Sequence, residues 1–298
     1  MITTPTVLIL GAGASVPYGF PSGASLRDKI YNNLQEGSER FIQLRGEGFE
    51  KNKILKFRED LLSSQAYSID AFLGHRPEYE DVGKAAIVQE LIPLEDPANL
   101  QGNWYQFLFH EIGVKVGFDH FHENAISIIT FNYDRSLEEF LFRGLKGISG
   151  KSDQECIEKL IKIPIIHIHG KMGDLWLQTG TVTRREYITR VDEGDIARFS
   201  RGIKIVHENV DQDPEIQRAR EFIGNAKKVY ILGLGYDPMN LRKLELNSGS
   251  FDRKVGVGTF VGKTVREIGE IRTMLGVGLE NTDHPDWDVL KLLRERGF

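Results

Sequence analysis

The residues with the most chemical promise are an amide and a carboxylate two positions apart, Asn132 and Asp134, where the apolar run "AISIITFNY" (125–133) ends. A buried strand that ends this way must find hydrogen-bond partners for both groups or a ligand that supplies them. The run "IPIIHIHG" (163–170) carries His167 and His169 on one face of a strand, because side chains alternate with period two. His169, beside Gly170, is placed to act as an acid/base or ribose-binding group, and His167 is read as structural.

Two glycine-bearing turns complete the set: "GAGASVPYGFPSG" (11–23) after the first apolar run and "GLGYDPMN" (233–240) after the fourth. Glycines at strand ends let backbone N–H groups approach a phosphate with no Cβ in the way, and a following helix start adds a favourable dipole. The dehydrogenase fingerprint G-x-G-x-x-G is not met, since Gly11 and Gly13 are followed by Val16. "GVGTFVGKT" (256–264) fails the P-loop spacing, with Val257 where glycine is required, and reads as a strand and a turn. The pairs His167/His169 and His120/His122 lack a clear carboxylate partner in the sequence, so no metal is expected.

Positioning these residues takes five short β-branched runs: 6–13, 125–133, 163–170, 227–236 and 254–262. They are nearly continuously apolar, as strands of a parallel sheet covered on both faces are, and helical patterns lie between them. The expected fold is α/β, a Rossmann-like doubly wound parallel sheet in a single domain over 1–298. Residues of about 30–122 are helical in pattern ("SLRDKIYNNLQ", "NKILKFREDLL", "GKAAIVQELI", "NWYQFLFHEIG") and are expected to form an inserted helical module. Ligands of such a sheet bind at the carboxyl ends of its strands, and there four runs end in Gly11–Ser15, Asn132–Asp134, His169–Gly170 and Gly233–Asp237.

A formal charge of −5 provides no general attraction to nucleic acid, and the single cysteine, Cys156, excludes an internal disulfide or a multi-cysteine zinc knuckle. The sequence holds no apolar run of membrane-spanning length and no leader pattern, so a cytoplasmic protein with no membrane partner is expected.

The ordered set "GAGAS…PSG", "TFNYD", "HIHG" and "LGLGYD" resembles the sirtuin-like superfamily. "SIDAFL" (68–73) and the helix around Trp104 look like the bacterial sirtuin-like domains of anti-phage systems. The resemblance implies NAD as substrate, His169 as catalytic histidine, and Asn132 as the amide that contacts the nicotinamide ribose and orients the attacking water. It implies that Gly11, Ala12, Gly13, Ala14 and Ser15, with Pro21, line the diphosphate and adjoining ribose. Asp134 matches the acid of the family motif, Gly170 follows the histidine, and Gly233 and Gly235 would flank the adenosine half. Sirtuin deacylases carry a zinc ribbon of four cysteines, absent here, and Phe131 stands where they have glutamine. The resemblance therefore points to NAD hydrolysis, with NAD or ADP-ribose sensing, ADP-ribosyl transfer and deacylation as alternatives. It also implies a regulated homo-oligomer, switched by a partner such as a HerA-type ATPase, a short Argonaute or a phage component.

Overall fold

The computed structural model describes residues 1–298 except 176–184, 193, 206–211, 248, 250, 252–253 and 277–278. Six strands, β1 (Thr6–Leu10), β2 (Ile126–Thr130), β3 (Ile165–His167), β4 (Lys228–Leu232), β5 (Val255–Gly258) and β6 (Leu279–Glu280), form one sheet in the order β3-β2-β1-β4-β5-β6. Every pairing is parallel. The order is that of the Rossmann fold, and its direction reverses between β1 and β4, where such sheets open a crevice at the strands' carboxyl ends.

Between β1 and β2 the described chain is helical: α1 (Gly23–Asn33), α2 (Glu39–Gly46), α3 (Lys51–Ser63), α4 (Ile69–His75), α5 (Glu80–Leu91) and α6 (Asn103–Phe109), the last running into a π-helical turn at His110–Val114. This is the expected helical insertion, but it starts earlier. Ser22 caps α1 by accepting the Ser25 N–H, so Ser25 lies inside the first turn and does not open the helix. Helix α5 is buried from Val82 to Leu91 and forms the module's centre.

The remaining helices are α7 (Ser136–Ser149), α8 (Asp153–Leu160), α9 (Asp195–Ser200), α10 (Pro214–Asn225), α11 (Pro238–Lys243), α12 (Val265–Leu275) and α13 (Val289–Arg296). Alternation along the strands divides the core in two. Leu8, Leu10, Ile128, Tyr230 and Leu232 pack with the inserted module, α7, α8 and α13 on one face. Val7, Ile9, Ile129, Val229 and Ile231 pack with α10, α11 and α12 on the other. Both faces being covered explains why the strand sequences are continuously apolar. In register, Leu10 lies beside Thr130 and Leu232, and Thr130 beside His167, so the four polar strand ends emerge along one edge. No helix of the described residues is long and apolar enough to cross a membrane.

Candidate functional site

The glycine loop is locked to the end of β4. Gly11 N–H donates to the Leu232 carbonyl and Gly13 N–H to the Gly233 carbonyl, each at 2.9 Å. A Cβ on Gly11 would lie 2.6 Å from the Gly233 oxygen, and one on Gly13 2.8 Å from it. Gly233 is left-handed, with φ of 64°, and a Cβ there would lie 2.1 Å from the Ala14 nitrogen. These three glycines are thus required by each other. Ala14 N–H donates to Gly11 and Ser15 N–H to Ala12, so four of the amides expected to face a diphosphate already donate within the chain. Helix α6 fixes the loop from above the sheet: Trp104 Nε1 donates to the Ala14 carbonyl at 2.7 Å, and Tyr105 stacks on Tyr18 at 3.7 Å. Pro21 is half-buried in the loop ahead of α1, while Gly13 and Gly235 are exposed.

Asn132 turns into the space between β1 and β2. Its Nδ2 donates to the Gly11 carbonyl at 3.1 Å and to Ser15 Oγ at 2.9 Å. A carbonyl can only accept, so the amide orientation follows, and Oδ1 is left buried with no hydrogen-bond partner among the described residues. Asp134 accepts the Ser136 N–H at 3.1 Å and the Ser136 hydroxyl. It caps α7 from one residue outside the N-cap position, which Arg135 occupies. Burial pushes the Asp134 carboxyl up, against the pull of the Ser136 and Ser15 hydroxyls. Ser15, Tyr105, Thr130, Asn132, Asp134 and His167 line a narrow cleft here. Behind it Arg135, fully buried, grips Glu95 with Nε at 2.9 Å and Nη2 at 2.5 Å, and Arg185 pairs with the same carboxylate.

His167, the last residue of β3, is held from both sides of its ring. Its Nδ1 lies 2.9 Å from the Asn132 carbonyl and its Nε2 2.7 Å from Glu138 Oε1. Both neighbours are acceptors, so the ring is fixed between them by its N–H donor side. Burial would raise the Glu138 carboxyl, but the pull of the His167 ring, joined by Lys171 and the backbone, outweighs it and holds the group at about 2.

His169 lies two residues past β3 and points elsewhere. Its carbonyl accepts the Lys204 N–H at 2.8 Å, and Gly170, with φ of 68°, bridges antiparallel to Ile203 so closely that a Cβ would lie 2.0 Å from the Gly202 oxygen. The ring is 2% exposed and sits between Phe131 and Tyr133, with centroids 5.4 Å and 5.9 Å away. Its Nε2 is 3.1 Å from Lys243 Nζ, and its Nδ1 faces Asp70 Oδ1 at 3.5 Å, beyond good hydrogen-bond geometry. The Tyr133 hydroxyl donates to that same Asp70 oxygen. Burial, then the Lys243 charge, holds His169 well below the usual histidine range. Burial pushes the Asp70 carboxyl up to about 6. Ser68, Asp70, His169, Asp237, Asn240 and Lys243 line a narrow cleft.

The strand ends therefore gather into two clefts. Gly11, Ser15, Asn132 and Asp134 come together in one, and His169 lines the other with Asp70, Asp237 and Lys243. Lys243, Glu138 and Tyr105 are additions that the sequence reading missed. Among the described residues no three His, Cys, Asp or Glu side chains are gathered as a metal would need.

The strand order and the polar carboxyl edge define a Rossmann-like α/β protein with an inserted helical module. No family model matches the sequence. The phosphoprotein of Simian virus 41 is 36% identical to it over 93 residues, which are 30% of this chain and 24% of that protein. The chain thus spans less than two thirds of the curated relative it matches, and that stretch shows no family.

Proposed function

We propose that the chain is an NAD glycohydrolase that cleaves NAD to nicotinamide and ADP-ribose. The observation that carries the reading is the Asn132 carboxamide: buried at the carboxyl end of β2, fixed by Gly11 and Ser15, with no donor to Oδ1 among the described residues. A buried amide oxygen left this way favours a ligand O–H, from a ribose hydroxyl or a water. Nicotinamide leaves its positively charged glycoside as a neutral molecule, so no acid is needed for departure. The ribose gains oxocarbenium character, and the site's task is to hold the sugar, exclude bulk water and admit one oriented water. The burial of Asn132 and His169 suits that exclusion. With the amides of Gly11, Gly13, Ala14 and Ser15 turned inward, the diphosphate half would meet the exposed surface of Gly13 and Gly235.

An unregulated NADase would exhaust its host, so the activity is read as a cytoplasmic anti-phage effector, switched by homo-oligomerisation or by a partner chain such as a HerA-type ATPase or a short Argonaute. A second reading is a module that senses NAD or ADP-ribose without cleaving it. It is favoured by the Lys243 ammonium lying against His169 Nε2, which takes that nitrogen away from base catalysis. Calorimetry with NAD, run beside a nicotinamide-release assay, separates the two. Binding with release supports the hydrolase, binding without release the sensor, and no binding by the chain alone or with candidate partners defeats both.

A further inference from the structure

The two nitrogens of His169 have different neighbours, and these decide where the ring carries its proton. Lys243, 8% exposed, lies 3.1 Å from Nε2. The other groups about its ammonium are acceptors: Asn240 Oδ1 at 3.3 Å and the carboxylates of Asp70 and Asp237, which oppose the effect of burial on its proton. An ammonium has three donors and no acceptor, so Nε2 must supply a lone pair and the proton must sit on Nδ1. That nitrogen is buried, has no hydrogen-bond partner among the described residues, and belongs to a ring that lines the second cleft. The titratable groups facing the ring are Lys243 from α11, Asp70 from α4 and Tyr133 after β2, while Asp237, ahead of α11, acts on Lys243 and Asp70. Tyr133 spends its proton on Asp70 and does not compete for Nδ1.

We propose that Lys243 is a positioning residue that fixes His169 as the neutral Nδ1–H tautomer, so that the ring offers the cleft a donor and Asp70 is the group left to accept a proton. The tautomer stands on geometry alone; its catalytic meaning rests on the NAD-cleavage reading. In that reaction the water oxygen bonds to C1′ of the ribose, the C1′–N bond breaks with its electron pair leaving on nicotinamide, and the water proton passes to the Asp70 carboxylate. His169 Nδ1–H donates to a ribose or water oxygen and is unchanged at the end of the cycle.

The test is nitrogen-resolved NMR of the full chain with labelled histidine, with His169→Gln used for assignment. In the wild type His169 is expected to carry its proton on Nδ1 and to stay neutral through the pH range in which an ordinary histidine takes up a proton. In Lys243→Met the ring is expected to sample both tautomers and to gain a proton within that window, and Lys243→Arg, which keeps a donor, to restore the wild-type signature. An Nε2–H signal in the wild type overturns the proposal without any variant, and an unchanged signature in a folded Lys243→Met overturns it as well. In the nicotinamide-release assay, Asp70→Asn is expected to lower kcat about 100-fold with KM little changed. Undiminished release by Asp70→Asn overturns the proton-acceptor role. Absence of release from the wild type defeats the NAD reading instead, and the tautomer measurement still decides for Lys243.

Discussion

His167 and His169 stand two residues apart and are held in opposite ways. His167 sits between two acceptors, the Asn132 carbonyl and the Glu138 carboxylate, and His169 sits against a donor, the Lys243 ammonium. The first has a consequence for stability. The Glu138 carboxyl is held at about 2, below its ordinary 4.5, so its contribution is fully present above about pH 4.5 and is lost as the pH falls through about 2. Glu138→Gln should cost about 3 kcal/mol at neutral pH, by removing the buried carboxylate that the His167 ring is bonded to, and flatten this acid limb. Urea unfolding at a series of pH values checks both expectations; an unchanged acid limb contradicts them. At this scale the sequence was partly legible. The polar ends of the apolar runs pointed to Asn132, Asp134 and His169. Glu138 is hidden because "SLEEFLF" presents it as one charge among others at a helix start, and only packing sets it against His167. Lys243 lies 74 residues from His169 in sequence, and no spacing rule links a lysine in "NLRKLE" to a histidine after another strand.

Among the elements, the turns after β1 and β4 behave as one unit. Their glycines had been read as room for a phosphate, and the structure gives Gly11, Gly13 and Gly233 a different immediate reason, the approach of one backbone to another. Gly233→Ala should therefore destabilise the fold by about 3 kcal/mol, through both its left-handed φ and the contact with Ala14. Gly235→Ala meets nothing within 4 Å and should change thermal stability little. Equal melting temperatures for the two variants would contradict this division. Five strands were legible because parallel strands covered on both faces are continuously apolar. Their ends were read too long, since glycine and histidine at the exits extend an apolar run past its last ladder hydrogen bond; β3 is Ile165–His167 within the expected 163–170. Strand β6, Leu279–Glu280, has two residues and no pattern to detect.

Over the whole molecule, the order β3-β2-β1-β4-β5-β6 brings four chain segments to one edge of the sheet, and the inserted helices cover that edge from one side. The insertion supplies site residues as well as cover: Asp70 from α4, Trp104 and Tyr105 from α6, and Glu95, which takes Arg135 and Arg185 together. Strand periodicity made the layers legible. The split of the edge into an Asn132 cleft and a His169 cleft was not, because it depends on which way side chains turn after the strands have ended. The most direct measurement is nicotinamide release from NAD by the wild type, Asn132→Ala and His169→Ala, each first shown to be folded and each tested with and without candidate partner chains. The account predicts nicotinamide and ADP-ribose from the wild type and a loss of at least about 100-fold in both variants. Full turnover in either variant, or no product from the wild type under any of these conditions, would contradict it.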